Sequence, residues 1–103
     1  MKIPKDRSSK IKLAISPKTS KEILERLSKD KDEAVRLAVA ENPNTPKKVL
    51  AKLAKDKDWF VRISVAENPN TPIKVLYQLT NDKDQYISYE ARIYYRLAIQ
   101  SMY

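Results

Sequence analysis

The sequence predicts an all-α fold: a helical-repeat solenoid of 26-residue two-helix units, with a capping helix at each end. Three observations carry this. The stretch Val39-Ala-Glu-Asn-Pro-Asn-Thr-Pro46 returns letter for letter as Val65-Ala-Glu-Asn-Pro-Asn-Thr-Pro72, and residues 37–62 laid on 63–88 match at 15 of 26 positions without a gap. A fixed period of this size marks a stacked array. Within each period apolar residues recur at helical spacing, and no stretch alternates at period 2 between turn signals. Cap and stop signals recur in step with the period.

Residues 6–15 read as a half unit. Asp6, Lys10, Ile11 and Leu13 fall one period before Asp32, Arg36, Leu37 and Val39, but Ser8 and Ser9 stand where Ala34 and Val35 do. A terminal unit has one face with no neighbour to bury it, so polar residues belong there. Three units follow, at 16–41, 42–67 and 68–88. In each, Thr19, Thr45 or Thr71 precedes an apolar run; in the second unit the stripe is Val49, Leu50, Leu53 and Ala54. The threonines are expected as N-caps, with Pro46 and Pro72 at the first helical position. Glu22, three past Thr19, would complete a capping box. These leading helices are expected near 19–29, 45–55 and 71–81.

Each ends at a Lys/Asn-Asp-Lys-Asp turn, whose second aspartate is expected to cap a short trailing helix. The first trailing helix is expected from Glu33 to Glu41 with Val35, Ala38 and Val39 inward; the second turns in Val61, Ser64 and Val65. Pro43 and Pro69 stop these helices, because Asn42 and Asn68 are pushed toward extended geometry. In the last unit Ile93-Tyr-Tyr-Arg96 replaces the Glu-Asn-Pro-Asn stop. That helix is expected to run on over 85–101, within a C-terminal cap at 85–102. Residues 1–103 form one expected domain.

Composition closes off several function classes. The chain has no Cys, no His and no Gly. Thiolate sites, the commonest general base and glycine-rich phosphate loops are therefore absent. No cofactor and no bound metal are expected, and the chain is not expected to be an enzyme. The net charge is +8, of which residues 1–21 hold +6. No apolar run is long enough to cross a membrane, and the start lacks the apolar middle of a signal peptide. The expectation is a soluble cytoplasmic protein.

The frame read through Asn42, Pro43, Thr45, Pro46, Leu50, Leu53, Ala54, Asp56, Asp58, Val61 and Arg62 is similar to the leucine-rich repeat variant family, a helical relative of HEAT and armadillo arrays. The third unit departs where Thr80 replaces Ala54 and Ser88 replaces Arg62. The resemblance covers about residues 11–92. It implies a right-handed superhelix of alternating helices, the second of each unit sometimes 3₁₀-like. Some relatives hold a cysteine-bound iron–sulfur cluster, which this chain cannot do. The family is mostly regarded as a set of interaction surfaces.

The candidate residues follow from that. The pairs Asp30/Asp32, Asp56/Asp58 and Asp82/Asp84 read as caps and turn formers rather than cation ligands, since a lysine sits inside each pair. Asp32 with Arg36, and Asp58 with Arg62, can pair locally or bridge units as a ladder. The asparagines of the Asn-Pro-Asn loops are expected to bond their own backbone. No aromatic precedes Trp59; after it come Phe60, Tyr77, Tyr86, Tyr89, Tyr94, Tyr95 and Tyr103. Trp59 stands where the other units have Glu33 and Gln85, and a large aromatic at a wet position is a hot-spot candidate. The first functional expectation is a scaffold for another protein, contacted through Trp59, Phe60, Tyr77, Tyr95 and Ile99. The competing use of these aromatics is packing against the C-terminal helix, or a homodimer through it. The alternative function is nucleic-acid binding through Lys2, Lys5, Arg7, Lys10, Lys12, Arg92 and Arg96.

Overall fold

Each unit turns on a pair of aspartates with separate duties. The first accepts the backbone N–H of the second: Asp30 from Asp32, Asp56 from Asp58 and Asp82 from Asp84, all at 2.9 Å. The second caps a helix, with Asp32 accepting from Ala34, Asp58 from Phe60 and Val61, and Asp84 from Tyr86 and Ile87. Such caps satisfy N–H groups that the helix leaves open. Asp6 does the same for the first helix through Ser9.

The computed structural model describes residues 2–102. Among them are seven α-helices and no strand: α1 (Arg7–Ile15), α2 (Lys21–Leu27), α3 (Glu33–Glu41), α4 (Lys47–Leu53), α5 (Trp59–Glu67), α6 (Ile73–Leu79) and α7 (Gln85–Gln100). The long last helix matches its expected span to within a residue. The trailing helices are α-helical rather than 3₁₀. The leading helices α2, α4 and α6 start later and end earlier than expected.

The late start comes with a correction. Thr19, Thr45 and Thr71 are not N-caps. Their hydroxyls point backward and donate to Leu13, Val39 and Val65 carbonyls near the end of the preceding helix. A helix C-terminus leaves carbonyls unpaired, and the buried Thr45 and Thr71 supply donors there at 2.6 Å. The N-cap of α2 is Ser20, which accepts from Ile23, so the capping box between Thr19 and Glu22 does not form. Pro46 and Pro72 are themselves the N-caps, with no side-chain cap bond.

The helices form two layers. In one, α1 packs on α3, α3 on α5 and α5 on α7; in the other, α2, α4 and α6 lie against them. The chain measures 42 × 28 × 16 Å. Between the layers lie Leu24, Leu27, Val35, Val39, Leu50, Val61, Val65 and Ile87, all essentially fully buried. The inward positions expected of α3, α4 and α5 are buried, including Ser64. On α7, Ile87 and Ala91 are buried, while Tyr94 and Ala98 are half-buried.

Polar clamps tie each unit to the next. Arg36 reaches forward to Asp56, and Arg62 to Asp82, with Nε–O distances of 2.9 and 3.0 Å. Their Nη2 atoms donate to the same carboxylates, while Arg36 Nη1 donates to the Asp30 and Lys31 carbonyls and Arg62 Nη1 to those of Asp56 and Lys57. The ladder therefore exists, but it runs to the first aspartate of the following turn and not to Asp32 or Asp58. Lys10 with Asp30, at 2.8 Å, is its first rung. The asparagines clamp in the other direction. Asn42 Nδ2 donates to Ala14 and Ser16 carbonyls, and Asn68 Nδ2 to those of Ala40 and Asn42. Their Oδ1 atoms accept the Asn44 and Asn70 N–H in the expected local turn. Among the described residues no buried side-chain nitrogen or oxygen is left without a partner.

Candidate functional site

The aromatics gather around α7, on two of its flanks. On the first flank Trp59, at the start of α5, stacks on Tyr86 with centroids 5.7 Å apart and meets Phe60 edge-on at 4.7 Å. Trp59 is half-buried and packs on the core. A local reason exists: the turn Asp56–Asp58 sets Trp59 at the first helical position, where Glu33 and Gln85 are exposed. Only Trp59 has the Tyr86 ring beside it. Outward of this stack Phe60 is 61% exposed, Tyr86 51%, Tyr89 61% and Leu97 56%. Tyr86, Tyr89, Ile93 and Leu97 follow helical spacing down one stripe of α7. With Phe60 they leave roughly 500 Å² of apolar-rich surface in water, at the size where a monomer's largest patch is often functional.

On the second flank Tyr95 meets Tyr77 of α6 at 5.3 Å and a 49° tilt. Tyr77 stays 55% exposed. Tyr95 and Ile99 line an open groove of about 310 Å³ together with Arg92, Arg96 and Gln100. The structure thus brings two expected partner residues into the same groove as the two C-terminal arginines. Between the flanks, burial holds the Tyr94 hydroxyl above its ordinary pKa, with a further push from the Glu67 and Glu90 carboxylates. Tyr103 lies outside the described residues.

The N-terminal basic residues divide. Lys10 is ion-paired with Asp30, and Arg7 with Asp32 at 2.8 Å. Lys2, Lys5 and Lys12 are exposed. Ile3, Pro4, Lys5 and Lys10 form a cleft of about 320 Å³ with Arg26, Leu27 and Asp30.

Tyr86, Tyr89, Ile93 and Leu97 are absent from the partner-contact residues expected from sequence. The signal was available: Phe60 and Tyr86 align with Ala34, and Tyr89 aligns with Leu37 and Ile63. Among the described residues no group of three or more acidic side chains is placed to hold a metal ion, and no helix is long and apolar enough to cross a membrane.

A family model described as leucine rich repeat variant matches residues 33–58. The match starts with α3 and ends on the aspartate that caps α5, which is one full period. It is consistent with a helical repeat family, as the resemblance implies. No curated protein and no solved structure matches the chain.

Proposed function

We propose that residues 1–103 form a single right-handed solenoid of 26-residue units, at 16–41, 42–67 and 68–88 between terminal caps, that acts as a non-enzymatic scaffold docking another protein. The observation that carries this reading is the exposed stripe from Phe60 through Tyr86 and Tyr89 to Leu97. Aromatics of this kind dominate protein interfaces, and the α1–α4 half of the array has none. The second flank, Tyr77, Tyr95 and Ile99 beside Arg92 and Arg96, offers an apolar groove with a basic edge for the same class of partner.

The test is affinity capture from a cell extract, with sedimentation across a concentration range. It compares the native chain with Phe60→Ser/Tyr89→Ser and with Tyr95→Glu/Ile99→Glu. The expected result is a protein retained by the native chain and lost from the first variant, with both variants folded. Concentration-dependent mass lost only in the second variant would identify the partner as a second copy through α7. Equal capture by all three chains, all monomeric, would refute the reading.

The alternative of nucleic acid held by the N-terminal segment is weakened by two contacts already made, Arg7 with Asp32 and Lys10 with Asp30.

A further inference from the structure

Through the middle of the array charge is sorted by layer. The three leading segments, 17–29, 43–55 and 69–81, hold nine basic and two acidic side chains, a net +7. Between them the trailing segments 30–42 and 56–68 net −3, while the trailing ends differ, with +4 in residues 1–16 and zero in 82–103. All nine basic groups of the leading layer are exposed. Residues 43–55 alone hold Lys47, Lys48, Lys52 and Lys55 and no acid. Among the described residues, the leading layer's only ion pair is Lys48 with Glu25, at 3.6 Å.

A solvated face needs no such bias; mixed signs keep a surface soluble. Lys48 and Lys52 sit four apart on one helix, where like charges disfavour the helix. The inward stripe Val49, Leu50, Leu53 and Ala54 is buried, so Lys48 and Lys52 project from the opposite, outer side. One unit earlier Glu22 and Arg26 hold the equivalent places, and one unit later Lys74 and Gln78. At the N-terminal end Arg26 shares its cleft with Lys5, so the basic face continues into the first residues.

We propose that this outer face of the α2–α4–α6 layer binds the phosphate backbone of a double-stranded nucleic acid. The lysines of successive units are spread along an array 42 Å long. A single phosphate or nucleotide fills one unit, whereas about 20 Å of duplex presents about a dozen charges. Single strands are held by stacking bases on aromatic rings, and the aromatics of this protein gather around α7. Lysines on a layer whose one aromatic is Tyr77 position a backbone without reading sequence. The acidic balance of the two central trailing segments repels the same polyanion, so the middle of the array would dock by its leading side. This surface is separate from the aromatic stripe, and its failure would leave the scaffold reading intact.

The test is fluorescence anisotropy with 20-base-pair DNA and RNA duplexes, the matching single strands, and phosphatidylserine vesicles as a competing polyanion. Three chains are compared: native, Lys48→Gln/Lys52→Gln/Lys55→Gln, and a control Lys31→Gln/Lys57→Gln/Lys83→Gln. The control removes the same charge from turns where each lysine has an aspartate on both sides. For about four phosphates neutralised, duplex affinity is expected to fall roughly 10²-fold between 50 and 200 mM salt. The leading-layer variant is expected to lose about 2.7 from the log–log salt slope, and the control to keep it. Circular dichroism checks that both variants fold. No duplex binding at 50 mM salt, equal losses in the two variants, single strands bound more tightly than duplexes, or vesicles that displace the duplex would each overturn the proposal.

Discussion

Replacing Asn68 by alanine tests whether the backward-reaching amides hold the array together. Asn68 is 6% exposed. Its Nδ2 donates to the Ala40 and Asn42 carbonyls at 2.8 and 2.9 Å, and its Oδ1 accepts the Asn70 N–H at 2.8 Å. Asn68→Ala removes all three bonds and leaves three backbone groups short of a partner in a dry site. At about 1 kcal/mol net for each bond, the loss is about 3 kcal/mol. In a domain of this size that is a fall in Tm of about 12 °C or more. Asn68→Asp should cost more, because it turns a donor toward two carbonyl oxygens into a third oxygen. Asn70→Ala is the control: its amide donates to the Thr45 carbonyl at 2.8 Å but is half-exposed, and water can replace it at about 1 kcal/mol. The assay is urea unfolding followed by the fluorescence of Trp59, the only tryptophan. A loss below about 1 kcal/mol for Asn68→Ala, or one no larger than that of Asn70→Ala, refutes the reasoning. So does a stable Asn68→Asp.

Two further outcomes are expected. Burial alone would raise the Asp30 carboxyl, but the Lys10 hydrogen bond, the Asp32 N–H and the Lys10 and Arg36 charges outweigh it and hold it below its ordinary 3.8. A lowered native pKa means that the unfolded chain binds the proton first, so this stability is present above the ordinary value and is lost as pH falls through the lower one. Asp6 adds to the same loss through its Ser9 hydrogen bonds. Urea midpoints at pH 7, 4 and 3 should fall with acid in the native chain and fall less in Asp30→Asn; identical slopes would rule out this source. Asp84 caps α7 through Tyr86 at 2.9 Å and Ile87 at 3.3 Å, so Asp84→Ala should cost about 1 kcal/mol. Because Tyr86 also stacks on Trp59, the folded-state emission of Trp59 should shift in Asp84→Ala, and an unchanged spectrum would separate the cap from the stack.

What could be read from sequence was what repeats locally. The second aspartate of each turn, the inward stripes and the run-on of α7 past residue 93 all follow from spacing, stop signals and caps. Bonds between units were harder to read. Asn42 satisfies its own turn as expected, but its free amide protons meet carbonyls 26 and 28 residues earlier. A single unit does not contain those acceptors. The threonines misled for a related reason: their place before a helix resembles a cap, yet the exposed helix end that needs them is the one behind. Along the chain, charge divides simply into +6 in residues 1–21 and +2 beyond them. The relevant division alternates every half period, which only the two-layer packing makes meaningful. Trp59 shows the limit from the other side. Its odd position was visible, but its stacking on Tyr86 depends on two trailing helices packing side by side.

The direction of the asparagine clamps bears on how the chain is made. Asn42 and Asn68 each complete a helix end already synthesised, at a separation of 26 to 28 residues. A ribosome adding about 5 to 20 residues per second produces one such interval in about one to five seconds. Helical contacts of this short range form in microseconds to milliseconds. Each unit therefore has time to close as soon as the loop of the next one emerges, and the growing chain carries no more than about one incomplete unit at its trailing end. Folding would proceed like a zip, advancing one tooth per period behind the point of synthesis.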